Sequence, residues 1–208
     1  MFGNRRFTII KNGISLKKYA FSVASRTSCR AKIEGNAATI IGCVGRLDPQ
    51  KNPLFAVEIA RQLCLLDSSV HVVFIGDGEL RTQVADAIEN AHLTERVHLL
   101  GARDDVNQWY SAFDCLMMPS LFEGLPFVLV EAQSAGLPCV VSAEVSLDAN
   151  ITGLVEYVPL RESAREWAQI ILRACQKPRH DVSQKLIEAG YSIEDTAKEV
   201  TAIIESAF

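Results

Sequence analysis

The chain has 208 residues, of which 49% are hydrophobic and 22% are charged, and its formal net charge is −4. This length and apolar content are enough for one substantial hydrophobic core. With an acidic balance and no block rich in Lys and Arg, the sequence gives no electrostatic reason to expect nucleic acid binding. No apolar run approaches the roughly 18 residues of a membrane span, so we predict no transmembrane segment in this chain.

The cysteines and histidines do not show metal-site spacing. The six cysteines are Cys29, Cys43, Cys64, Cys115, Cys139 and Cys175. They are scattered, form no C-x2-C pair, and mostly fall in apolar runs, which is typical of reduced core residues in a cytoplasmic protein. The four histidines form no His-x-x-His or His-Cys spacing, so we predict no metal site.

In chain order, residues 1–28 form a lead-in with a short strand-like run at 5–10 and an Asn12-Gly13 turn signal, followed by a polar, basic stretch. A regular pattern then begins. The predicted strands are 37–45, 70–75, 96–100, 115–118, 139–142 and 155–158. The predicted helices are 54–66, 79–91, 105–113, 126–135, 163–175, 183–188 and 193–206.

This order of elements predicts an α/β fold. Six apolar strands alternate with helices and show little alternation between apolar and polar side chains, as expected of strands buried on both faces. The sequence therefore predicts a doubly wound parallel sheet of about six strands, with helices on both faces. Ligands of such sheets bind at the carboxyl ends of the strands, where the strand order reverses.

The loop after the first predicted strand carries two cations. Gly45-Arg46 follows that strand, and Lys51 comes just before Asn52-Pro53, a predicted helix cap with proline at the first helical position. Positive charge opposes the dipole of a helix N-terminus, so an anion between the cations and the helix amides would explain the pair. The alternative is that both are solvated loop cations.

The loop after the second strand reads Gly76-Asp77-Gly78. Position 81 is Arg, so the third glycine of a dinucleotide fingerprint is missing and NAD is not expected. Two interpretations stay open for this turn. It lets the backbone approach a ligand closely, or it makes a tight connection between a strand and a helix.

The segment that follows the fourth strand, residues 119–138, contains two carboxylates. Glu123 precedes the predicted helix 126–135 and Glu131 lies within it. Eight residues of helix span roughly 12 Å and would place both carboxylates on nearly the same side, which suits an extended polar ligand. The amides at the helix start would favour a phosphate near Gly124. The alternative is ordinary surface charge, but the apolar neighbours of Glu131 suggest that it is partly buried and needs a partner.

These segments carry a resemblance to a known family. Glu123-Gly-Leu-Pro-x4-Glu131 resembles the E-x7-E motif of the retaining, group 1 glycosyltransferases of the GT-B fold, and the segment from Gly45 to Asn52 matches their G-R-L-x3-K-N motif. The resemblance covers roughly residues 11–191. It implies a Rossmann-like, nucleotide-sugar-binding domain over 29–208, an interdomain lead-in over 1–28, and an N-terminal acceptor domain that is absent from this chain.

The resemblance also implies roles for single residues. Arg46 and Lys51 would bind the diphosphate of the donor and stabilise the leaving nucleotide, and Glu123 would bind hydroxyls of the transferred sugar; these three would be the catalytic residues. Glu131 would bind the ribose. Gly45, in the loop after the first strand, is a further implied binding residue. Gly124 and Leu125 would bind the phosphate through their amides. Ala102 and Arg103 would contact the base through main-chain groups.

For the whole enzyme, the resemblance implies transfer of a sugar from a UDP- or GDP-linked donor to a glycan or lipid-linked acceptor, without metal or other cofactor. The segment after Ser142 resembles members involved in exopolysaccharide or capsule synthesis. We expect a cytoplasmic protein, or one at the inner face of the membrane, and no transfer by this chain alone. Two alternatives remain: a nucleotide-sugar-binding module without transfer activity, and half of a sugar-nucleotide epimerase.

Overall fold

A computed structural model describes residues 10–33 and 39–206. Its strands are β1 (Thr39–Val44), β2 (Val70–Ile75), β3 (Val97–Leu99), β4 (Cys115–Met118), β5 (Cys139–Ser142) and β6 (Val155–Val158). Its helices are α1 (Leu16–Tyr19), α2 (Val23–Arg30), α3 (Pro53–Leu66), α4 (Arg81–Asn90), α5 (Val106–Ala112), α6 (Phe127–Ser134), α7 (Ala164–Ala174), α8 (Ser183–Glu188) and α9 (Ile193–Ser206).

The six strands form one sheet in the order β3-β2-β1-β4-β5-β6. Every neighbouring pair of strands is parallel. The predicted doubly wound, Rossmann-like α/β fold is confirmed. The strand order reverses between β1 and β4, so the carboxyl ends of these two strands flank the place where such sheets bind ligands.

Two apolar layers cover the sheet. Neighbouring residues of β1 point to opposite layers: Ile41 packs in one with Trp167 of α7, and Ile40 in the other with Trp109 of α5. All four side chains are almost completely buried. This two-sided burial explains why the strand sequences are apolar without alternation.

The lead-in residues form two helices that the sequence did not predict. Ser15 caps α1 and Ser22 caps α2, each by accepting a hydrogen bond from a backbone N–H three residues later. Helix α2 crosses the expected boundary between residues 28 and 29, and that boundary stays a prediction. The strand-like run at 5–10 falls almost wholly outside the described residues.

Two arginines of the second lead-in helix bind one partly buried carboxylate of the domain. Asp114 accepts hydrogen bonds from Arg26 (2.6 Å), Arg30 (3.0 Å) and the backbone N–H of Ile40 (2.8 Å). Burial alone would raise the pKa of Asp114, but these donors outweigh it and lower the pKa below its ordinary value. The lead-in is therefore tied electrostatically to the starts of β1 and β4.

The proline predicted at the start of α3 is there, but the predicted cap by the Asn52 side chain is wrong. Pro53 occupies the first turn, yet Asn52 adopts a left-handed conformation (φ 53°) and its side chain makes no cap hydrogen bond. The Asn52 amide instead donates to the backbone oxygen of Pro119 at 3.2 Å. A residue expected to cap a helix thus joins the loop after β1 to the loop after β4.

All six cysteines lie in the described residues and are free. Burial raises the pKa of the Cys43 thiol to about 12, so it is protonated near neutral pH. Within 10–33 and 39–206, no helix has the length and apolar character needed to cross a membrane.

Candidate functional site

The candidate site lies where the loops after β1 and β4 meet. The backbone N–H of Leu121 donates to the Gln50 oxygen at 2.8 Å, and the Gln50 side chain donates to the Phe122 oxygen at 3.1 Å. With the Asn52 contact described above, these bonds join the two loops across the point of strand reversal. The loops therefore form one continuous surface at the carboxyl edge of the sheet.

Lys51 and Glu123 form an ion pair across this junction. The Lys51 ammonium donates to a carboxylate oxygen of Glu123, and only 18% and 10% of the two side chains are exposed. Both residues are predicted site residues, but the sequence did not indicate that they bind each other. Because most of the pair is shielded from water, the two charges depend on one another.

Arg46 is held differently from Lys51. Its side chain is 73% exposed and pairs with Asp48 at 3.1 Å. Both cations have a negative partner within the chain, Asp48 for Arg46 and Glu123 for Lys51. An external anion bound by the pair stays a prediction. An exposed ion pair of this kind contributes little to stability, so Arg46 can exchange Asp48 for another anion at small cost.

Glu123 and Glu131 do not lie on the same helix. Helix α6 begins at Phe127, and the backbone of Glu123 forms a parallel bridge with Val145. The expected helical spacing between the two carboxylates is therefore wrong, because Glu123 belongs to an extended segment that joins the loop after β5.

Glu131 has the partner that its burial required. The Tyr110 hydroxyl donates to Glu131 at 2.8 Å. Burial raises the pKa of Tyr110 strongly, and the Glu131 charge raises it further. Burial, and then the nearby Glu131 carboxylate, raise the pKa of Tyr19 to about 12. Both hydroxyls are therefore protonated near neutral pH. No motif in the sequence indicated these tyrosines.

Gly124 presents bare backbone at the site. A Cβ atom at Gly124 would meet no other atom within 4 Å, and neighbouring Leu125 is exposed. The backbone here is open to approach from outside the chain. A Cβ at Gly45 would lie 3.4 Å from the Lys51 side chain, which is an ordinary contact distance, so it is the positive φ of 154° that favours glycine at this position.

The Gly76-Asp77-Gly78 turn has a structural reason. A Cβ at Gly76 would lie 1.8 Å from the Gly45 oxygen, and one at Gly78 would lie 2.4 Å from the Leu47 oxygen. Such distances are far below contact, so both positions require glycine if the backbones are to keep this spacing. The structure therefore gives a reason that neither interpretation named: the two glycines let the turn after β2 pack directly against the backbone of the loop after β1. Close approach of a ligand to this turn stays a prediction.

The loop after β3 lies beside this region. Arg103 donates twice to Asp105, at 2.6 and 2.8 Å, and its guanidinium lies 5.6 Å from the ring centre of Trp109. Ala102 is exposed. Contacts of Ala102 and Arg103 with a nucleotide base stay predictions.

Two sizeable clefts differ in their relation to the site. One of about 540 Å³ adjoins the Glu123 loop and is lined by Lys11, Gly124, Leu125, Ser146, Asp148, Ile151, Ala189 and Tyr191. The other, of about 520 Å³, lies at the C-terminal end of α6 and contains none of the predicted site residues. Both are in the range of small-molecule pockets, but only the first adjoins predicted binding residues.

Within the described residues, no three or more His, Cys, Asp or Glu side chains form a group that could hold a metal ion. Arg46, Lys51 and their carboxylate partners contribute charge near the Glu123 loop, and Lys11 and Asp148 do so from the adjoining cleft.

The sequence of residues 38–177 matches the family of group 1 glycosyl transferases. The chain belongs to this family, which confirms the resemblance drawn from the two motifs.

Two relatives are similar over much of the chain. A putative glycosyltransferase, EpsF of Bacillus subtilis (strain 168), is 34% identical over 196 residues, which are 91% of this chain and 50% of that protein. An Escherichia coli protein named UDP-Gal:alpha-D-GlcNAc-diphosphoundecaprenol alpha-1,3-galactosyltransferase is 38% identical over 143 residues, 66% of this chain and 36% of that protein. The chain spans half or less of the length of these relatives.

Solved structures show the same fold. Anabaena Alr3699/HepE in complex with UDP has a TM-score of 0.77 and 19% identity, and its complex with UDP-glucose has a TM-score of 0.74 and 20% identity. Each match covers 96% of this chain and 57% of the other. The chain therefore has the Rossmann-like architecture found in GT-B glycosyltransferases.

Proposed function

We propose that this chain is the donor-binding domain of a retaining glycosyltransferase of the hexosyltransferase type. The enzyme would transfer a sugar from a nucleotide-diphosphate sugar to a growing glycan in bacterial polysaccharide synthesis. The observation that carries this proposal is the meeting of Arg46, Lys51 and Glu123 at the carboxyl ends of two strands, β1 and β4, where the strand order reverses.

Arg46 and Lys51 would bind the diphosphate. Their present partners, Asp48 and Glu123, are carboxylates that a diphosphate can replace or share. Arg46 can offer two parallel N–H groups and Lys51 has three donors, so Lys51 can contact a phosphate while it keeps one bond to Glu123. As the bond to the sugar breaks, charge grows on the leaving diphosphate, and cations already in place stabilise it.

Glu123 would bind hydroxyls of the transferred sugar. Its carboxylate is held close to the Lys51 ammonium, so a sugar bound there would lie beside the diphosphate. The bare backbone at Gly124, with the amide of Leu125, would let a phosphate oxygen come close. The cleft of about 540 Å³ beside these residues has room for a sugar.

Glu131 would bind the ribose hydroxyls, with Tyr110 fixing one of its carboxylate oxygens. Main-chain groups of Ala102 and Arg103 would contact the base. We favour a UDP-linked donor, because one relative is named as a transferase that uses UDP-Gal and a structural neighbour was solved in complex with UDP. The cations and amides supply the positive charge, so the proposal includes no metal or cofactor.

The acceptor, a glycan or a lipid-linked glycan, would bind through a further domain of the whole enzyme. Closing a second wall over the donor would exclude water and bring the acceptor to the sugar. We place the reaction in the cytoplasm, at the inner membrane face where the acceptor is lipid-linked.

Titration calorimetry with UDP, GDP and ADP tests the proposal. We expect Arg46→Gln combined with Lys51→Gln to weaken binding of the preferred nucleotide about 10- to 100-fold, as expected for lost charge-assisted hydrogen bonds. The matched control is Arg173→Gln combined with Lys177→Gln, because that Arg and Lys share one carboxylate, Glu156, outside the site. Equal affinities in both double variants would refute the diphosphate site.

A further inference from the structure

The last residue of β5, Ser142, is polar in a strand that is otherwise apolar. Its side chain is completely buried. The Ser142 hydroxyl donates to the Ser120 backbone oxygen at 2.7 Å and accepts from the Glu144 backbone N–H at 3.0 Å. One hydroxyl thus joins the loop that follows β4 to the loop that follows β5.

Both of these loops hold Glu123. The residue comes three positions after Ser120, so the first bond fixes the start of its loop. Its backbone N–H donates to the Glu144 oxygen at 3.3 Å, and its own oxygen accepts from the Ser146 N–H at 3.0 Å. The N–H that donates to the Ser142 hydroxyl and the oxygen that accepts from the Glu123 N–H therefore both belong to Glu144.

Alanine at position 142 would fit the apolar packing of β5 but could not make the two hydrogen bonds of the Ser142 hydroxyl. The Ser120 oxygen, in a fully buried residue, would lose its Ser142 donor, and the N–H of the exposed residue Glu144 would lose its Ser142 acceptor. Polar groups left in this way cost free energy, and the loops would relax to recover partners elsewhere. The segment between positions 120 and 123 is expected to move, because the Ser142 bond at its start is one of a small set of bonds that join it to the loops after β1 and β5.

We infer that Ser142 is a positioning residue for the donor-sugar site, acting through the two loops that hold the Glu123 backbone. This inference rests on the proposed role of Glu123. A carboxylate that recognises hydroxyls must be placed to a fraction of an ångström, since hydrogen bonds fail with small displacements. The Lys51 ammonium fixes one carboxylate oxygen of Glu123, and Ser142 fixes the backbone from which that side chain extends.

The first test needs no ligand. Amide hydrogen exchange, followed residue by residue by NMR, is compared between the 208-residue chain and its Ser142→Ala variant. We expect about tenfold faster exchange at the Glu123 and Glu144 amides. The matched control is Ser111→Ala, because Ser111 is also completely buried and accepts one backbone bond, from Ser22 at 3.0 Å. Unchanged exchange at Glu123 in Ser142→Ala would overturn the inference.

The second test measures binding of UDP-glucose and of UDP. We expect Ser142→Ala to weaken UDP-glucose about fivefold, with UDP changed less than twofold, and Ser111→Ala to leave the ratio of the two affinities unchanged. Combined with Glu123→Gln, Ser142→Ala should add almost nothing, because both changes remove the same interaction. Full additivity of the two effects on UDP-glucose would overturn the inference.

The two tests separate this inference from the proposed function. If Glu123→Gln alone leaves the ratio of UDP-glucose to UDP affinity unchanged, the sugar role of Glu123 and the proposed function are wrong, and so is the functional part of the inference. The exchange experiment still decides whether Ser142 holds Glu123. If Glu123→Gln lowers the ratio and Ser142→Ala does not, the proposed function survives and the inference is wrong.

Discussion

Replacing Asp114 by Asn should destabilise the chain in a pH-dependent way. The carboxylate side chain is 18% exposed, and one of its two cationic partners, Arg30, is 3% exposed. Asn keeps an oxygen that can accept from the Ile40 N–H but removes the negative charge that faces both guanidinium groups. Removing one member of a buried ion pair costs about 3–5 kcal/mol, and we expect about 3 kcal/mol because that acceptor remains. This is a large share of the roughly 5–15 kcal/mol of a typical domain.

The sign of the pH dependence follows from the lowered pKa of Asp114. The unfolded chain, with the ordinary pKa of 3.8, takes up a proton at a higher pH than the folded chain does. The stabilisation by this carboxylate is therefore complete well above pH 4 and declines as the pH falls through the unfolded and then the folded pKa. The Asn variant lacks this titration, so the gap in the free energy of unfolding between the two proteins should narrow on acidification.

Urea unfolding at pH 7, 5 and 3.5 measures this gap. Glu58→Gln is the control, because Glu58 also has a pKa lowered by an arginine, Arg61, but that pair is exposed and should contribute little. An Asp114→Asn variant as stable as the parent at pH 7 would refute the reasoning. So would a gap that stays constant down to pH 3.5.

Two glycine substitutions should separate ligand approach from backbone packing. Gly124→Ala should leave the thermal midpoint unchanged, because its Cβ meets no atom within 4 Å, yet weaken UDP-glucose about tenfold if the donor approaches this backbone; calorimetry showing full affinity would remove Gly124 from the site. Gly76→Ala should lower the thermal midpoint by several degrees, because its Cβ would lie 1.8 Å from the Gly45 oxygen; an unchanged midpoint in a melting experiment would contradict the packing explanation.

Most of the architecture followed from the sequence because the six strands and the helices from α3 onward each have a local signal. Apolar runs such as 115–118 and 139–142 were predicted with the bounds that β4 and β5 have, since turn residues limit them on both sides. Helices α1 and α2 lack that signal. They are short and polar, and they are stabilised by serine caps and by the bond network of Asp114, 84 residues from Arg30. Contacts so distant in sequence have no periodicity that a local pattern can reveal.

The sequence also indicated where the candidate site lies, at the carboxyl edge of the sheet. A parallel sheet brings strand ends to one edge, so loops with charged residues after strands were expected to meet. The partners of those charges were not predictable. Whether Lys51 faces Glu123 or an open cleft depends on the pairing of β1 with β4 and on the bonds from Gln50 and Asn52 between their loops. The helical spacing expected for Glu123 and Glu131 was wrong because Glu123 precedes α6 and its backbone bridges to Val145.

Because Lys51 and Glu123 form an ion pair, a diphosphate that binds Lys51 also changes how well the Glu123 carboxylate is stabilised. A diphosphate near Lys51 would share the ammonium with Glu123, and a largely buried carboxylate is stabilised less when its cation also serves a second anion. Hydroxyl groups of a sugar can compensate, because they donate to the carboxylate while Lys51 also contacts the phosphate. A free nucleotide diphosphate lacks those hydroxyls. The proposed site should therefore favour the intact nucleotide-sugar over the nucleotide alone, and this preference should disappear in Glu123→Gln, whose neutral amide needs no compensating cation.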